Sequence, residues 1–150
     1  MQSAIPKVAV VADDGFEVIS HAVGALRVRV LVIDDDEAVR SGMLQLFRHW
    51  GCECDVAESI EQALTLARAH PPGLVLSDYR LRELRTGAEA IAALRAEFGA
   101  RLPAVLITGD TAPERLREAH AVGVPLLHKP VSPAQLYRRL VSVLEDAEKR

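Results

Sequence analysis

Aromatic residues are scarce. Three Phe, two Tyr and one Trp make up 4% of the chain, so a core has to be built from Val, Leu, Ile and Ala rather than from stacked rings. Cysteine is nearly absent. Cys52 and Cys54 are too few for a disulfide framework, and a reducing cytoplasm is the expected compartment. With His49 they fall short of a zinc site, because no fourth soft ligand lies nearby; buried thiols on a strand are the simpler reading. Positive charge is not in surplus: 18 Lys and Arg face 21 Asp and Glu, a net charge of -3. That balance argues against nucleic-acid binding by the chain as a whole. No apolar run reaches transmembrane length, so no membrane contact is expected. Met1 to Val11 lacks a basic region followed by a long apolar one, and Asp13-Asp14 breaks the apolar character just after it, so no signal peptide is expected. Internal repeats and low-complexity tracts are missing as well.

What is present is alternation. The chain has 150 residues, 49% hydrophobic and 26% charged, enough for one domain with a real core. Lys7 to Val11 reads as a short strand, and Phe16, Ile19, Val23 and Leu26 share a helical spacing. Residues 1–27 are read as a leader or linker, the alternative being a helix that docks on the domain or pairs with a second copy. Asp13-Asp14 mimics an acid pair at a strand end but begins no well-phased series. The series starts at Val28 to Ile33, a buried-strand run followed by Asp34-Asp35-Asp36. A helix is predicted from Glu37 to about Trp50, with Asp36 as N-cap, Gly51 as stop, and Val39, Met43, Leu46, Phe47 and Trp50 facing inward. Cys52 to Ala57 is a second strand, and Ser59 to Gln62 has the spacing of a capping box that opens a helix to about Ala69. His70 is a helix-end residue, and Pro71-Pro72-Gly73 marks a turn.

The third strand, Leu74-Val75-Leu76-Ser77-Asp78, ends abruptly in an acid and then a polar loop. A helix is predicted from Gly87 to Phe98 with Ile91, Ala92 and Leu94 inward and Gly99 as stop. Pro103 to Thr108 is another apolar run, and Thr111 to Glu114 reads as a further capping box, with Pro113 early in its helix. That helix stops at Gly123. Val124 to Leu127 forms a short fifth strand ending in His128-Lys129-Pro130. Ser132 to Gln135 opens the last helix, with Leu136, Leu140, Val143 and Leu144 inward and a solvated end from Glu145. The domain is drawn at 28–147, with 148–150 as a tail. Five β-α pairs with helices long enough for right-handed crossovers give an α/β fold, a parallel sheet sandwiched by helices.

In such sheets ligands sit at the carboxyl ends of the strands. Four strand ends supply chemistry there: Asp34 with Asp35, Asp78, Thr108 and Lys129. Singly, each has a plain explanation: N-capping, turn chemistry, a turn hydroxyl, an exposed strand end. Their joint occurrence on one edge makes those explanations poor. Carboxylates about 4 Å apart repel by roughly 4 kcal/mol at an effective dielectric near 20. A divalent cation removes that repulsion, and an all-oxygen site with few protein ligands suits Mg²⁺. Carboxylate, cation, ammonium and hydroxyl together fit stabilisation of an in-line phosphoryl group, and a carboxylate can itself be the nucleophile, giving an acyl phosphate.

Over Val28 to Leu144 the sequence resembles the receiver domain of two-component response regulators, of the chemotaxis-regulator type. The resemblance is carried by Ile33-Asp34-Asp35-Asp36, Ser77-Asp78-Tyr79-Arg80-Leu81, Ile107-Thr108-Gly109-Asp110 and His128-Lys129-Pro130, in that order and at matching intervals. It implies a flavodoxin-like doubly wound (βα)5 sandwich with strand order 2-1-3-4-5. It implies that Asp78 is the phosphoacceptor, taking phosphate from the phosphohistidine of a sensor histidine kinase. Asp34, Asp35, Asp78 and the backbone carbonyl of Arg80 would hold Mg²⁺, and Thr108 and Lys129 would bind phosphoryl oxygens. A cis peptide at Lys129-Pro130 is implied too. Asp78 to Arg82, followed by Thr86 to Ala90, resembles receivers at the carboxyl end of hybrid sensor histidine kinases. A stand-alone receiver is the other context, and a phosphotransfer protein or a second copy of the chain are further partners.

The sequence departs from the family at Leu126, where an aromatic residue is usual, which puts aromatic switching of the last sheet face in doubt. Arg80 and Asp110 occupy the two positions with which the family tunes attack by water on the phosphoryl group, and a pair between them would shield it. The arginines from Arg80 to Arg85 read as a solvated loop that could face a kinase. Two other classes stay open: an unphosphorylated interaction module of the same fold, and an aspartyl phosphatase. The phosphatase usually needs a second acid two residues after the nucleophile, where this chain has Arg80.

Overall fold

The computed structural model describes residues 27–149; the expected strand at Lys7 to Val11 and the Phe16, Ile19, Val23, Leu26 face lie outside them. Strand β1 is Arg29–Ile33, β2 Glu53–Ala57, β3 Leu74–Asp78, β4 Ala104–Thr108 and β5 Leu126–His128. Between and after them come α1 Glu37–His49, α2 Ile60–Ala69, α3 Gly87–Phe98, α4 Pro113–Ala121 and α5 Pro133–Glu148. The sheet order is β2-β1-β3-β4-β5, with every pair parallel. This is the flavodoxin-like doubly wound arrangement expected. Among the described residues no helix is long and apolar enough to cross a membrane.

The central strands β1, β3 and β4 read as continuous apolar runs because they are buried on both faces, while the edge strands β2 and β5 are partly exposed. Successive side chains alternate between two layers. Val30, Val32, Leu74, Leu76, Val105 and Ile107 pack with Phe47 and Trp50 and with Leu136, Tyr137 and Leu140 of α5. Leu31, Ile33, Val75, Ala104 and Leu106 pack on the other side against α2, α3 and α4. The few aromatics are concentrated rather than spread. Trp50 meets Phe47 edge-on with centroids 5.5 Å apart, and Tyr137 at 4.9 Å. Tyr137 is fully buried, an inward residue of α5 that the leucine pattern left out; Val143 and Leu144 are only half-buried.

Helix boundaries follow local chemistry. Asp36 caps α1, its Oδ1 accepting from the Ala38 and Val39 amides at 2.9 and 3.4 Å, which contributes about 1 kcal/mol. Gly51 and Gly123 end α1 and α4 at φ +83° and +68°, values that glycine adopts without strain. The capping box at Ser132–Gln135 forms, and so does one at Thr86–Glu89. At Ser59 the box is half-made: Ser59 Oγ accepts from the Gln62 amide, but Gln62 Oε1 accepts from the Glu58 amide instead of that of Ser59.

Two expectations are corrected. Thr111 to Glu114 forms no capping box; Ala112 is the N-cap and offers no side chain. Asp110 Oδ1 accepts from the Ala112 amide at 2.9 Å, closing a turn just before the helix, which starts at Pro113. In α3 the inward residues are Gly87, Ala90, Ile91 and Leu94, while Ala92 is exposed; at 100° per residue Ala92 turns away from the face that Ile91 sets. The last helix runs on to Glu148, and its end from Glu145 is largely exposed, as expected.

Candidate functional site

The two-residue alternation of the strands decides which side chains meet. Asp34 continues the Val30–Val32 row of β1, and Asp78 continues the Leu74–Leu76 row of β3, so both emerge on the layer that holds α1 and α5. The strands pair Ile33 with Ser77 and Asp78 with Ile107, which sets these ends level. Thr108 belongs to the opposite row of β4 and pairs with His128, one residue before Lys129. Between them lies a cleft of about 110 Å³ with Asp34, Asp78 and Lys129 at its mouth and Val39, Met43 and Val131 among its apolar lining.

One carboxylate oxygen from each of Asp34, Asp35 and Asp78 lies within 4.8 Å of the others. Lys129 Nζ sits 3.1 Å from Asp78 Oδ1. Asp34 is buried, and its Oδ1 accepts from the Asp36 amide at 2.9 Å. Burial pushes its pKa up to about 6; the Asp36 amide opposes this, and the Asp78 charge adds to it. Asp78 is also raised, again chiefly by burial, with Lys129 opposing. Two of the three acids thus resist ionisation where they stand, because their charges have lost water and face one another. A hard divalent cation relieves both penalties, and a set of oxygen donors with no nitrogen or sulfur matches Mg²⁺.

Thr108 is buried, with its Oγ1 accepting from the Asp110 amide at 3.0 Å and its carbonyl accepting from the Lys129 amide at 2.8 Å. The Lys129-Pro130 peptide is cis. Arg80 lies two residues past Asp78, bridged to Thr86, and its Nη2 donates to Asp110 Oδ2 at 3.0 Å, the pair expected from position. Leu126 opens β5 and is half-buried. Cys52 is buried and Cys54 partly so, with burial raising their thiols to about 11 and 12, so both are inert neutral thiols at neutral pH.

Several residues of the rim were not legible in the sequence. Arg40, on α1, donates from Nη1 to the Asp34 carbonyl at 2.8 Å. Arg82 Nη2 reaches the Asp35 carbonyl at 3.4 Å, and both arginines lie within 4 Å of Glu58 Oε1. Tyr79, beside Asp78, is buried and donates from Oη to Glu118 Oε1 at 2.5 Å. The one available signal was the Arg115–Glu118 spacing of three, which puts both on one face of α4.

A doubly wound parallel sheet with three carboxylates, a buried hydroxyl and a lysine gathered at its carboxyl edge defines a phosphoryl-accepting signalling fold. Comparison with known proteins makes the class specific. The family model for the response regulator receiver domain matches residues 30–141, and the chain belongs to that family, the receiver domains of two-component systems, which accept phosphate from histidine kinases. Response regulator MprA of Mycolicibacterium vanbaalenii is 31% identical over 118 residues, covering 78% of this chain and 50% of that protein. The chain therefore spans about half the length of this curated relative. A 14.6 kDa protein of Leptolyngbya boryana is 32% identical over 111 residues, covering 73% of this chain and 84% of that one. Among solved structures, chemotaxis protein CheY4 of Vibrio cholerae is 28% identical with a TM-score of 0.72, covering 78% of this chain and 98% of that one.

Proposed function

We propose that Asp78 accepts a phosphoryl group from the phosphohistidine of a sensor histidine kinase in a Mg²⁺-dependent reaction, switching the surfaces this domain offers to partners. The observation that carries this reading is the convergence of three carboxylate oxygens within 4.8 Å beside Lys129, 3.1 Å from Asp78. Asp34, Asp35, Asp78 and the Arg80 carbonyl would hold the ion. When bound, it supplies the positive charge that offsets the acids and the incoming phosphoryl oxygens.

Asp78 offers its free carboxylate oxygen to phosphorus. Lys129, already paired with that carboxylate, is placed to follow the phosphoryl oxygens once the charge moves outward. Thr108 has its hydroxyl on the neighbouring strand end and can donate a hydrogen bond to the same oxygens. The Asp36 amide and Arg40 hold Asp34 in place from both sides. The unit that does this is 28–147, and a cytoplasmic setting fits it. The Asp78 to Ala90 stretch supports a place at the carboxyl end of a hybrid sensor kinase, with a stand-alone receiver as the other context. A phosphotransfer protein and a second copy of the chain are the other partners compatible with the reading.

The test is incubation with Mg²⁺ and phosphoramidate, followed by intact mass. The wild type should gain one phosphoryl group, and Asp78→Asn should gain none. A wild type that stays unlabelled would leave an unphosphorylated interaction module, and turnover of unrelated phosphoesters would point to a phosphatase. The Arg80–Asp110 pair carries a second expectation. The pair joins the residues two positions after Asp78 and Thr108, and in this reading it screens the phosphoryl group from water, so Arg80→Ala should shorten the phosphoryl lifetime by about two- to fivefold, the scale of an exposed ion pair. An unchanged decay rate in that variant would remove the shielding role.

A further inference from the structure

We propose that Arg115, held on Tyr79 and Glu118, is a positioning residue that sets how firmly Arg80 is kept over the phosphorylated Asp78, so that the placement of helix α4 controls the lifetime of the acyl phosphate. The inference rests on Asp78 being the acceptor. Tyr79 follows Asp78 directly and is buried. Arg115 lies over its ring, with Cζ 4.8 Å from the centroid, a contact that favours a guanidinium in place. Arg115 Nε is 3.0 Å from Glu118 Oε1, the oxygen that also accepts from Tyr79 Oη. Its other end reaches toward the active edge: Nη1 is 3.5 Å from Asp110 Oδ2, the same oxygen that Arg80 Nη2 holds at 3.0 Å.

Two guanidinium groups therefore share one carboxylate oxygen and repel each other across it. They are not equally free. The Arg115 side chain is 19% exposed and the Arg80 side chain 70%. Packing fixes Arg115, and Arg80 adjusts to it. Because Arg115 and Glu118 both ride on α4, a partner that shifts this helix changes what is left of Asp110 for Arg80. The coupling acts on the rate of decay, so the placement of the helix sets how long Asp78 stays phosphorylated. This gives the domain a route from α4 to Asp78 that needs no aromatic residue at Leu126.

In the step being timed, water attacks phosphorus and the bond from phosphorus to the Asp78 carboxylate oxygen breaks. The electron pair stays on the carboxylate, the water oxygen leaves as part of inorganic phosphate, and its proton passes to solvent. The test follows this decay by intact mass after labelling with Mg²⁺ and phosphoramidate and removal of the donor. Arg115→Gln leaves Asp110 wholly to Arg80, and the lifetime should lengthen about two- to fivefold. Glu118→Gln deprives Arg115 of its second anion and turns it onto Asp110, and the lifetime should shorten by a similar factor. In an Arg80→Ala background neither change should alter the decay. Shifts of the same sign in the two variants would show only a loosened helix and would overturn the proposal, as would shifts that persist without Arg80. If the wild type takes up no phosphoryl group, the acceptor reading fails and this inference falls with it; normal uptake with unchanged decay in both variants sinks the inference alone.

Discussion

Gly87→Ala is expected to destabilise the domain by roughly 3 kcal/mol, the upper part of the range for overpacking, and to disturb the strand that carries Asp78 directly. A Cβ at this position would stand 2.3 Å from the Asp78 carbonyl oxygen, 2.6 Å from Leu106 Cδ2 and 2.7 Å from Ser77 Oγ. The leucine can rotate, but the Asp78 carbonyl is backbone at the end of a central strand. Gly87 also donates from its amide to the Tyr79 carbonyl at 2.7 Å, so α3 cannot retreat without breaking that bond. The start of α3 is therefore pressed against the strand end that carries Asp78. Urea unfolding should show a lower midpoint with an unchanged slope, and phosphoryl uptake should slow. A midpoint within error of the wild type would mean that the strand end yields freely.

Removing the most buried acid should have the opposite effect on stability. Asp34 has a folded pKa of about 6 against an ordinary value of 3.8, so between these values the folded state binds the proton and the unfolded state does not. The contribution of this group to the stability of the cation-free protein is then greatest below about pH 4 and is lost as pH rises through 6, by roughly 2–3 kcal/mol. Asp34→Asn should raise stability at pH 7 by roughly 1–2 kcal/mol in the presence of a chelator, and should flatten the pH dependence between 4 and 7. Asp78 is raised in the same direction, so some slope should remain. The same variant should need at least about tenfold more Mg²⁺ for phosphoryl uptake, since even outer-shell changes have effects of that size. Denaturation midpoints at pH 5 and 7 decide the matter; parallel curves for wild type and variant would show that Asp34 carries no such penalty.

These two results share a cause. The residues that make the site useful are held against the packing preferences of their surroundings: an acid in a dry cleft and a helix start with no room for a methyl group. Stability is given up locally where chemistry is concentrated, and the two-layer aliphatic core around Val30, Leu76, Val105 and Leu140 offsets it.

Much of the architecture was readable from residue order alone. Each buried strand announces itself as an apolar run closed by a polar residue, as Leu74 to Asp78 does, because a strand covered on both faces has no polar alternation to blur it. Asp36, Gly51, Ser132 and Gly123 mark helix ends because caps act within four residues. Asp34, Asp35, Asp78, Thr108 and Lys129 could be gathered in advance because parallel strands share an edge whatever their order. Tertiary structure alone decided the rest. Arg40, Arg82 and Arg115 became parts of the rim only where α1, the β3–α3 loop and α4 converge. Periodicity and capping are local and are written in short windows; distances between side chains on different crossovers depend on how whole layers pack, and no short window contains that.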